Sequence, residues 1–519
     1  MVIPPPPFFT PNIVTDDVSA KENVKAFSFP SLGKHTLIYG TGIVASKAVA
    51  FILLPIYTRF LTPADYGVLQ LISLVLEVAA IAAGSRLAQG VYHFYHQAST
   101  PESRGRVLVT ATALSALTFF SVATVGIATS PWIATFVFGA KDPFAFFVKL
   151  AVTAMAFESL IIVPLAFIQL AERSKLFVAV QFSKLLLQAF LNILFVVALE
   201  MGVAGVLWST LIANLLLGAF LTVMLVQNNG YRISVATAWQ LIRYGYPLVV
   251  TQVATMILVM GDRFFLNRAA GEAVVGIYGL AYQFAMLVLL VGYIPFEQIW
   301  NPTRFSIARR EDRSVIFSKA FTYLNVGLSI GVVGVSVLSW DVIRIMADAS
   351  FHAASIWVGP ITALCVLQAW TFFHNMGLMV TERTGWYASA NWVGAAVALV
   401  GFITLIPIWS ISGAIVTGVV AMGTRFVLVY AWSHRFWPMD YKWGPTAWLA
   451  GGTIVVVVGA MYARPDGVVL SGVFSVAAVL GYLAFVWLAP VLSKEEKAAA
   501  RSIVRVLGKR VLRVGRDDV

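Results

Sequence analysis

Charged residues are scarce in this 519-residue chain: they make up 12% of it, about half the share usual in soluble globular proteins. Cysteine is nearly absent, and the single Cys365 excludes a disulfide scaffold. The P-loop motif G-x-x-x-x-G-K-[ST] is missing, and His93 and His96 have no adjacent cluster of Cys or acidic residues, so we predict no metal site. Hydrophobic residues make up 59% of the chain, which indicates a polytopic membrane protein.

Long apolar runs predict an all-α fold with about fourteen membrane-spanning helices. Each run approaches or exceeds the roughly 20 residues that cross a bilayer as a helix, and none shows the short alternations of a membrane barrel. The predicted spans 1 to 14 are 36–58, 68–92, 107–129, 146–170, 178–199, 204–226, 244–266, 273–296, 318–340, 355–379, 386–408, 411–433, 446–462 and 468–490.

The lysines and arginines orient these spans. The net charge is +12, and 24 of the cations fall on the side that holds both termini, against 6 on the opposite side. Since cytoplasmic loops are enriched in Lys and Arg, we expect both termini in the cytoplasm. The Pro-rich residues 1–35 are expected to form a disordered cytoplasmic arm, with no signal peptide, and 491–519 a basic amphipathic tail along the anionic inner leaflet.

Short segments recur at separations of 204 to 212 residues, which indicates an internal repeat of six spans. An even number of spans gives both copies the same orientation, so a pseudo-two-fold axis along the membrane normal should relate them. The matches are Glu172-Arg173 with Glu382-Arg383, Gly205 with Gly413, and Arg59 before Tyr66-Gly67 with Arg263 before Tyr278-Gly279.

The repeat predicts a transporter whose two lobes rock around a central cavity. The expected units are a first lobe at 36–226, a second lobe at 227–434 and two extra helices within 435–490. Prolines within the spans act either as static kinks or as hinges. Pro55 and Pro247 are the hinge candidates.

Two passages resemble a known family. LLPIYTRFLTPADYGVLQL at 53–71 and LIRYGYPLVV…GDRFFLNRAAGEAVVGIYGLA at 241–281 are similar to lobe-entry sequences of oligosaccharide-lipid flippases. The resemblance is to the Wzx-type polysaccharide-transporter branch of the multidrug/oligosaccharidyl-lipid/polysaccharide exporter superfamily, and covers about residues 36–434.

This resemblance implies a function. Members of that branch flip undecaprenyl-diphosphate-linked sugar units across the bacterial inner membrane for O-antigen, capsule or exopolysaccharide synthesis. It also implies alternating access with an H⁺ or Na⁺ gradient as energy source, and no bound cofactor. The expected partners are the lipid-linked oligosaccharide and membrane lipids, with polysaccharide-assembly proteins as further candidates, whereas nucleic acid is not expected.

Cations within the spans could bind the diphosphate. A charge inside the membrane is costly and usually faces a bundle interior or a watery cavity, where a cation attracts phosphate strongly. Pairing with acidic side chains or snorkelling to the surface is the simpler alternative. The candidates are Lys47, Arg86, Lys149, Lys184 and Arg425.

Acidic residues in the spans have two possible roles. Glu77 and Glu158 either bind the coupling ion or pair with neighbouring cations. Asp262 and Arg263, at the outer end of span 7, form a gate latch or a simple helix-end pair.

Two other functions compete with the flippase. A multidrug exporter of the same superfamily is expected to place an acid in the first span, where this chain has Lys47 instead. A membrane polysaccharide polymerase or ligase would need a large outer loop with catalytic residues. The outer loops here are short, so we expect a transporter and not an enzyme.

Overall fold

The structure is a computed structural model that describes residues 54–85, 87–171, 173–491, 493 and 496–497. Thirteen helical segments in this part are long and apolar enough to cross a membrane, and they correspond to predicted spans 2 to 14. The predicted span 1, the N-terminal arm and most of the C-terminal tail lie outside the described residues. The chain is therefore a multi-pass, all-helical membrane protein, as predicted.

The first lobe contains seven described helices and a short π-helical segment. These are α1 (Leu54–Phe60), α2 (Pro63–Ala82), α3 (Leu87–Gln97), α4 (Pro101–Phe138), α5 (Phe144–Leu170), α6 (Ser174–Asn192), the π-helical Ile193–Ala198, and α7 (Gly202–Asn229).

The second lobe and the two extra helices likewise consist of long helices with short helical segments between some of them. The helices are α8 (Val235–Met260), α9 (Asp262–Ala270), α10 (Glu272–Ala285), the π-helical Leu289–Tyr293, α11 (Ile294–Ile307), α12 (Arg313–Met346), the 3₁₀ turn Ala349–Phe351, α13 (Ala354–His374), α14 (Met376–Val380), α15 (Thr384–Trp409), α16 (Ile411–Phe436), α17 (Trp443–Tyr462) and α18 (Val468–Leu488).

Local sequence signals explain where two long helices begin. Thr62 caps α2 in a capping box with Asp65, and Pro63 occupies the first turn, where no N–H is needed. Thr100 caps α4 with Ser103 in the same way. Gly139 ends α4 in the left-handed conformation, with φ of 81°.

Predicted spans 2 and 8 differ from the observed helices. Span 2 is divided into α2 and α3, with Gly84 at φ of 76° between them. Span 8 does not end at residue 296 but continues to Ile307, through the π-helical Leu289–Tyr293. Pro295 follows this segment and cannot donate the usual helical hydrogen bond, which accounts for the local change in pitch.

The two lobes meet through a reciprocal helix crossing. A Cβ atom on Gly67 would overlap the carbonyl oxygen of Glu272, and one on Gly276 would overlap that of Pro63. The added Cβ of each glycine would also lie 3.0 Å from the backbone nitrogen of the other. This symmetry pairs Gly67 with Gly276, an offset of 209, rather than with Gly279 as the sequence match suggested.

Contacts between helix ends distinguish two ends of the bundle. The odd-numbered spans 1, 9 and 13 end on the same side of the bundle. Thr58 Oγ1, at the end of span 1, donates to the carbonyl of Met346, after span 9, at 3.4 Å. Arg464, after span 13, pairs with Asp341, which also follows span 9. We call this the outer end, after the orientation predicted from the sequence. At the opposite, inner end, the backbone N–H of Lys442 donates to Ser318 Oγ at 3.1 Å.

The helix pair α17–α18 packs on α12 through a buried polar network. Asp341 accepts hydrogen bonds from Ser471, Ser475 and Arg464, the last at 3.0 Å. Arg464 also donates to the carbonyl of Val337 at 2.9 Å. These hydrogen bonds offset part of the desolvation cost of burying the two charges, although Arg464 Nε has no partner.

Candidate functional site

A cavity of about 310 Å³ lies in the first lobe among α1, α2, α5 and α7. Hydroxyl and amide groups are interspersed with apolar side chains along its wall. The polar lining residues are Tyr57, Tyr66, Ser73, Glu158, Thr210, Asn214 and Gln283. Because Gln283 belongs to α10, the second lobe contributes to the wall of this cavity.

The carboxylate of the cavity is paired with a predicted cation. Lys184 Nζ lies 3.3 Å from Glu158 Oε1, and the two side chains are 21% and 49% exposed, respectively. Pairing was the simpler of the two interpretations of Glu158. The pair keeps the net charge of this wall near zero while leaving the carboxylate accessible from the cavity.

The other predicted cations lie apart from this pair. Lys47 and Arg86 fall outside the described residues. Lys149 is exposed near the outer end of α5 and does not belong to the cavity wall. Arg425 is 1% exposed in the interior of the second lobe, where it bonds to Gln368. The described structure therefore brings Lys184, but neither Lys149 nor Arg425, next to the cavity.

Glu77 links the two lobes. Its Oε1 accepts a hydrogen bond of 2.9 Å from Nε2 of Gln252, on α8. Asn192 makes a comparable link within the first lobe, donating to the Tyr57 hydroxyl at 2.7 Å. Sequence reasoning placed Glu77 inside span 2 but could not name Gln252 as its partner.

The predicted gate residues are buried at the contact between lobes. Arg263 Nη1 lies 3.4 Å from Asp262 Oδ1, while Tyr278 donates its hydroxyl to Asp262 Oδ2 at 2.5 Å. Arg263 Nε also donates to Gln70 Oε1, in the first lobe, at 3.3 Å, and the guanidinium lies 4.9 Å from the Tyr282 ring centre. These contacts tie the lobes together at the outer end.

A second cross-lobe hydrogen bond adjoins the cavity. The Tyr66 hydroxyl donates to Gln283 Oε1, and both residues also line the cavity wall. The Tyr66 ring packs edge-on against Phe351 of the second lobe, with centroids 5.9 Å apart. Together with the Gly67–Gly276 crossing one residue further along, these contacts join the outer ends of the two lobes beside the cavity.

The two hinge candidates, Pro55 and Pro247, lie in different helices. Pro55 lies in α1, just after the part of the chain that the structure leaves undescribed, and α8 runs helically through residue 247. Besides the π-helical Ile193–Ala198 of span 5, the described helices interrupt their regular pitch at the π-helical Leu289–Tyr293 of span 8. That segment lies between the cross-lobe contacts of α10 and the inner half of the span.

A polar stripe on α11 was missed by sequence reasoning. Glu297 accepts hydrogen bonds from Asn301 at 3.1 Å and from Tyr293 at 3.3 Å, and Arg304 follows two turns after Glu297. Arg304 follows the predicted end of span 8 at residue 296, but it lies within α11 and is partly buried, with Nη2 3.7 Å from Met379 Sδ. The spacing 293, 297, 301 and 304 would have revealed this face if the helix had been continued past Pro295 and Pro302.

The histidines occupy aromatic surroundings. His93 stacks on Tyr244 with ring centroids 5.0 Å apart, and His374 is enclosed by aromatic rings that include Phe321 and Tyr441. Within the described residues, no group of three or more His, Cys, Asp or Glu side chains could hold a metal ion.

The sequence matches a known family. Residues 32–307, more than half of the chain, match the family described as "Polysaccharide biosynthesis protein". The chain belongs to this family. The match begins in the predicted N-terminal arm and ends at the last residue of α11, so it includes the first lobe, the cross-lobe contact and the α11 stripe of this polysaccharide biosynthesis protein.

Solved structures share the fold. The lipid II flippase MurJ, in an inward closed conformation, is similar with a TM-score of 0.69 and 11% identity, over 86% of this chain and 98% of that one. The MATE multidrug transporter DinF-BH is similar with a TM-score of 0.58 and 14% identity, over 77% of this chain and 94% of that one. A MOP-superfamily transporter from Pyrococcus furiosus is similar with a TM-score of 0.53 and 15% identity, over 77% of this chain and 94% of that one.

These similarities show that the chain shares the fold of these flippases and transporters. At such low identities they show the fold alone. No curated protein matches the sequence.

Proposed function

We propose that this protein is a flippase that moves undecaprenyl-diphosphate-linked oligosaccharide units across the bacterial inner membrane. The product would feed O-antigen, capsule or exopolysaccharide synthesis. The observation that carries the proposal is the position of the polar cavity: its wall includes Tyr66 and Gln283, which also join the two lobes. Cargo held there could leave outward only after the lobes separate.

The cavity suits the sugar part of such a substrate. Hydroxyl and amide groups such as Ser73, Thr210 and Asn214 offer donors and acceptors to sugar hydroxyls, while Tyr57 and Tyr66 supply aromatic faces. Sites of this kind combine a mainly apolar wall with a few placed polar groups. The lipid tail would remain in the bilayer.

Lys184 is the described cation best placed for the diphosphate. Its ammonium group already lies against the cavity through Glu158, and phosphate oxygens would compete with that carboxylate. Lys47 and Arg86 remain candidates on sequence grounds. Lys149 and Arg425 remain predictions too, but their positions favour roles away from direct contact in this conformation.

Alternating access would then require the outer contacts to break. We infer that an H⁺ or Na⁺ gradient drives the cycle, with Glu77 and Glu158 as the candidate ion-binding carboxylates. Glu77 is the stronger candidate of the two, because its described partner is the neutral amide of Gln252 across the lobe contact. Ion binding there would alter a contact that joins the lobes.

The orientation and partners of the protein belong to the same proposal. The excess of cations in the even-numbered loops favours cytoplasmic termini. Membrane lipids surround the spans, and polysaccharide-assembly proteins are candidate partners. A transporter of this kind would act without covalent catalysis.

A cation-coupled multidrug exporter is the second candidate function. The similar fold of MATE transporters and the carboxylate of Glu158 in the cavity favour it. Against it, Lys184 neutralises that carboxylate at 3.3 Å, which would weaken the attraction of a cationic drug.

Reconstitution distinguishes the two candidates. Full-length protein in liposomes should translocate an undecaprenyl-diphosphate-linked oligosaccharide, and a Lys47→Ala/Arg86→Ala variant of normal stability should do so more slowly. A cationic dye is the competing substrate in parallel vesicles. Transport of the dye without transport of the lipid would overturn the flippase proposal, and unchanged transport by the double variant would exclude the two cations.

A further inference from the structure

Arg425 is an unusual charge in the middle of the second lobe. The residue is 1% exposed, and one guanidinium nitrogen donates to Gln368 while Nε has no hydrogen-bond partner. Within the described part of the chain it forms no ion pair with Asp or Glu. Burying a cation without a counter-charge carries a large desolvation cost, which a bound anion would offset.

A second unsatisfied group lies on the neighbouring helix. Asn391, on α15, is also 1% exposed, and both its amide nitrogen and its amide oxygen lack a partner. One turn further along the same face, an added Cβ on Gly394 would lie 3.2 Å from Arg425 Cβ. Asn391 thus precedes by one turn the point at which α15 lies against Arg425.

Two partly buried residues also lie near Arg425. Tyr387 precedes Asn391 by one turn on α15, and its phenol lies within electrostatic reach of the Arg425 charge. Gln368, on α13, is likewise only partly buried.

We propose that Arg425, Asn391, Gln368 and Tyr387 form an anion-binding site inside the second lobe. The anion would accept hydrogen bonds from Nε of Arg425 and Nδ2 of Asn391, and its charge would neutralise the guanidinium in surroundings of low dielectric constant. A water molecule could accept the same hydrogen bonds but would leave the charge uncompensated. The site is separate from the first-lobe cavity, and its existence does not depend on which substrate is transported.

The required chemistry is a small anion or an anionic oxygen. A free halide such as chloride and a phosphate oxygen of a lipid diphosphate both supply it. Asn391→Leu removes the amide donor at similar volume, and no existing hydrogen bond is lost because the Asn391 side chain makes none. Asn325→Leu is the matched control in the same lobe, since Asn325 is 5% exposed and bonds to Phe321 and Trp370.

Thermal unfolding of the purified full-length protein tests the site. Chloride is titrated against gluconate at constant Na⁺ concentration, and in a second arm undecaprenyl diphosphate is added without chloride. We expect a saturable upward shift in Tm, because an anion that binds only the folded protein stabilises it. Asn391→Leu and Arg425→Met should lose this shift. Asn325→Leu should have a lower starting Tm but keep the shift.

The two arms separate the sources of the anion. A shift with chloride that Asn391→Leu abolishes identifies a free anion, and one with lipid diphosphate alone identifies the cargo. Equal responses of wild type and Asn391→Leu in both arms, or no response in either, would overturn the proposal. If Arg425→Met fails to fold, Asn391→Leu alone decides. Failure of lipid translocation in liposomes would leave a chloride response intact, so the two proposals fail separately.

Discussion

Gly67 and Gly276 lie face to face where α2 of the first lobe crosses α10 of the second. A Cβ atom on either glycine would overlap a carbonyl oxygen on the opposite helix. The contact is backbone against backbone, so no side-chain rotation can make room for a larger residue. The outer ends of the two lobes can therefore approach this closely only with glycine at both positions.

Gly67→Ala should open the outer end. We expect faster labelling of a cysteine introduced at Ser73, in the cavity wall, by an impermeant maleimide applied from the outer side, in a Cys365→Ser background. Gly334→Ala on α12 is the control, because no atom lies within 4 Å of its added Cβ. Equal labelling of Gly67→Ala and Gly334→Ala would contradict the closure described here.

Arg263→Met should destabilise the protein more than the double variant Asp262→Asn/Arg263→Met. The single change leaves a buried carboxylate without its counter-charge, at a cost of about 3–5 kcal/mol. The double change removes both charges while the Tyr278 hydroxyl keeps an acceptor. Thermal unfolding of both variants measures the difference, and equal Tm values would show that the pair is not energetically coupled.

Arg464→Met should loosen the attachment of α17–α18 to α12. Asp341 would keep its two serine donors but lose the cation that compensates its charge. We expect a loss of about 3 kcal/mol in unfolding free energy, readable as a lower Tm. Arg344→Met, at an exposed position on the same helix, should change stability by no more than about 0.5 kcal/mol. Similar effects of the two changes would argue against the network.

Lys184→Gln should slow lipid translocation, whereas Glu158→Gln should not. A hydrogen bond to a charged group contributes about 1.5–3 kcal/mol, so loss of Lys184 should lower transport of a diphosphate lipid by about tenfold or more. Glu158→Gln removes the competing carboxylate and should leave transport unchanged or faster. Loss of gradient-driven transport in Glu158→Gln, with exchange retained, would instead identify Glu158 as the ion-binding residue.

Hydropathy and charge predicted much of this architecture because a membrane helix must be long, apolar and internally hydrogen-bonded. The cross-lobe partners could not be predicted in the same way. Gln70 and Arg263 are 193 residues apart, and Tyr66 and Gln283 are 217 apart, so their pairing depends on how two folded lobes dock. Glu297 was missed because the predicted span 8 ended at residue 296, whereas the helix continues to Ile307.

Cross-linking the lobes tests the central claim, that cargo leaves only when the outer contact opens. An added Cβ on Gly279 would lie 2.6 Å from Gln70 Cγ, so the two Cβ atoms fall within disulfide range. Gln70→Cys/Gly279→Cys, in a Cys365→Ser background, would tie the lobes together. Ser336→Cys/Gly359→Cys is the control within the second lobe, where the corresponding Cβ atoms would be 3.7 Å apart.

The measurement is oligosaccharide-lipid translocation in liposomes under oxidising conditions and then after reduction. The account predicts that oxidation stops translocation by the Gln70→Cys/Gly279→Cys protein, that reduction restores it, and that the control pair transports in both states. Undiminished translocation with the cross-lobe disulfide fully formed would contradict it.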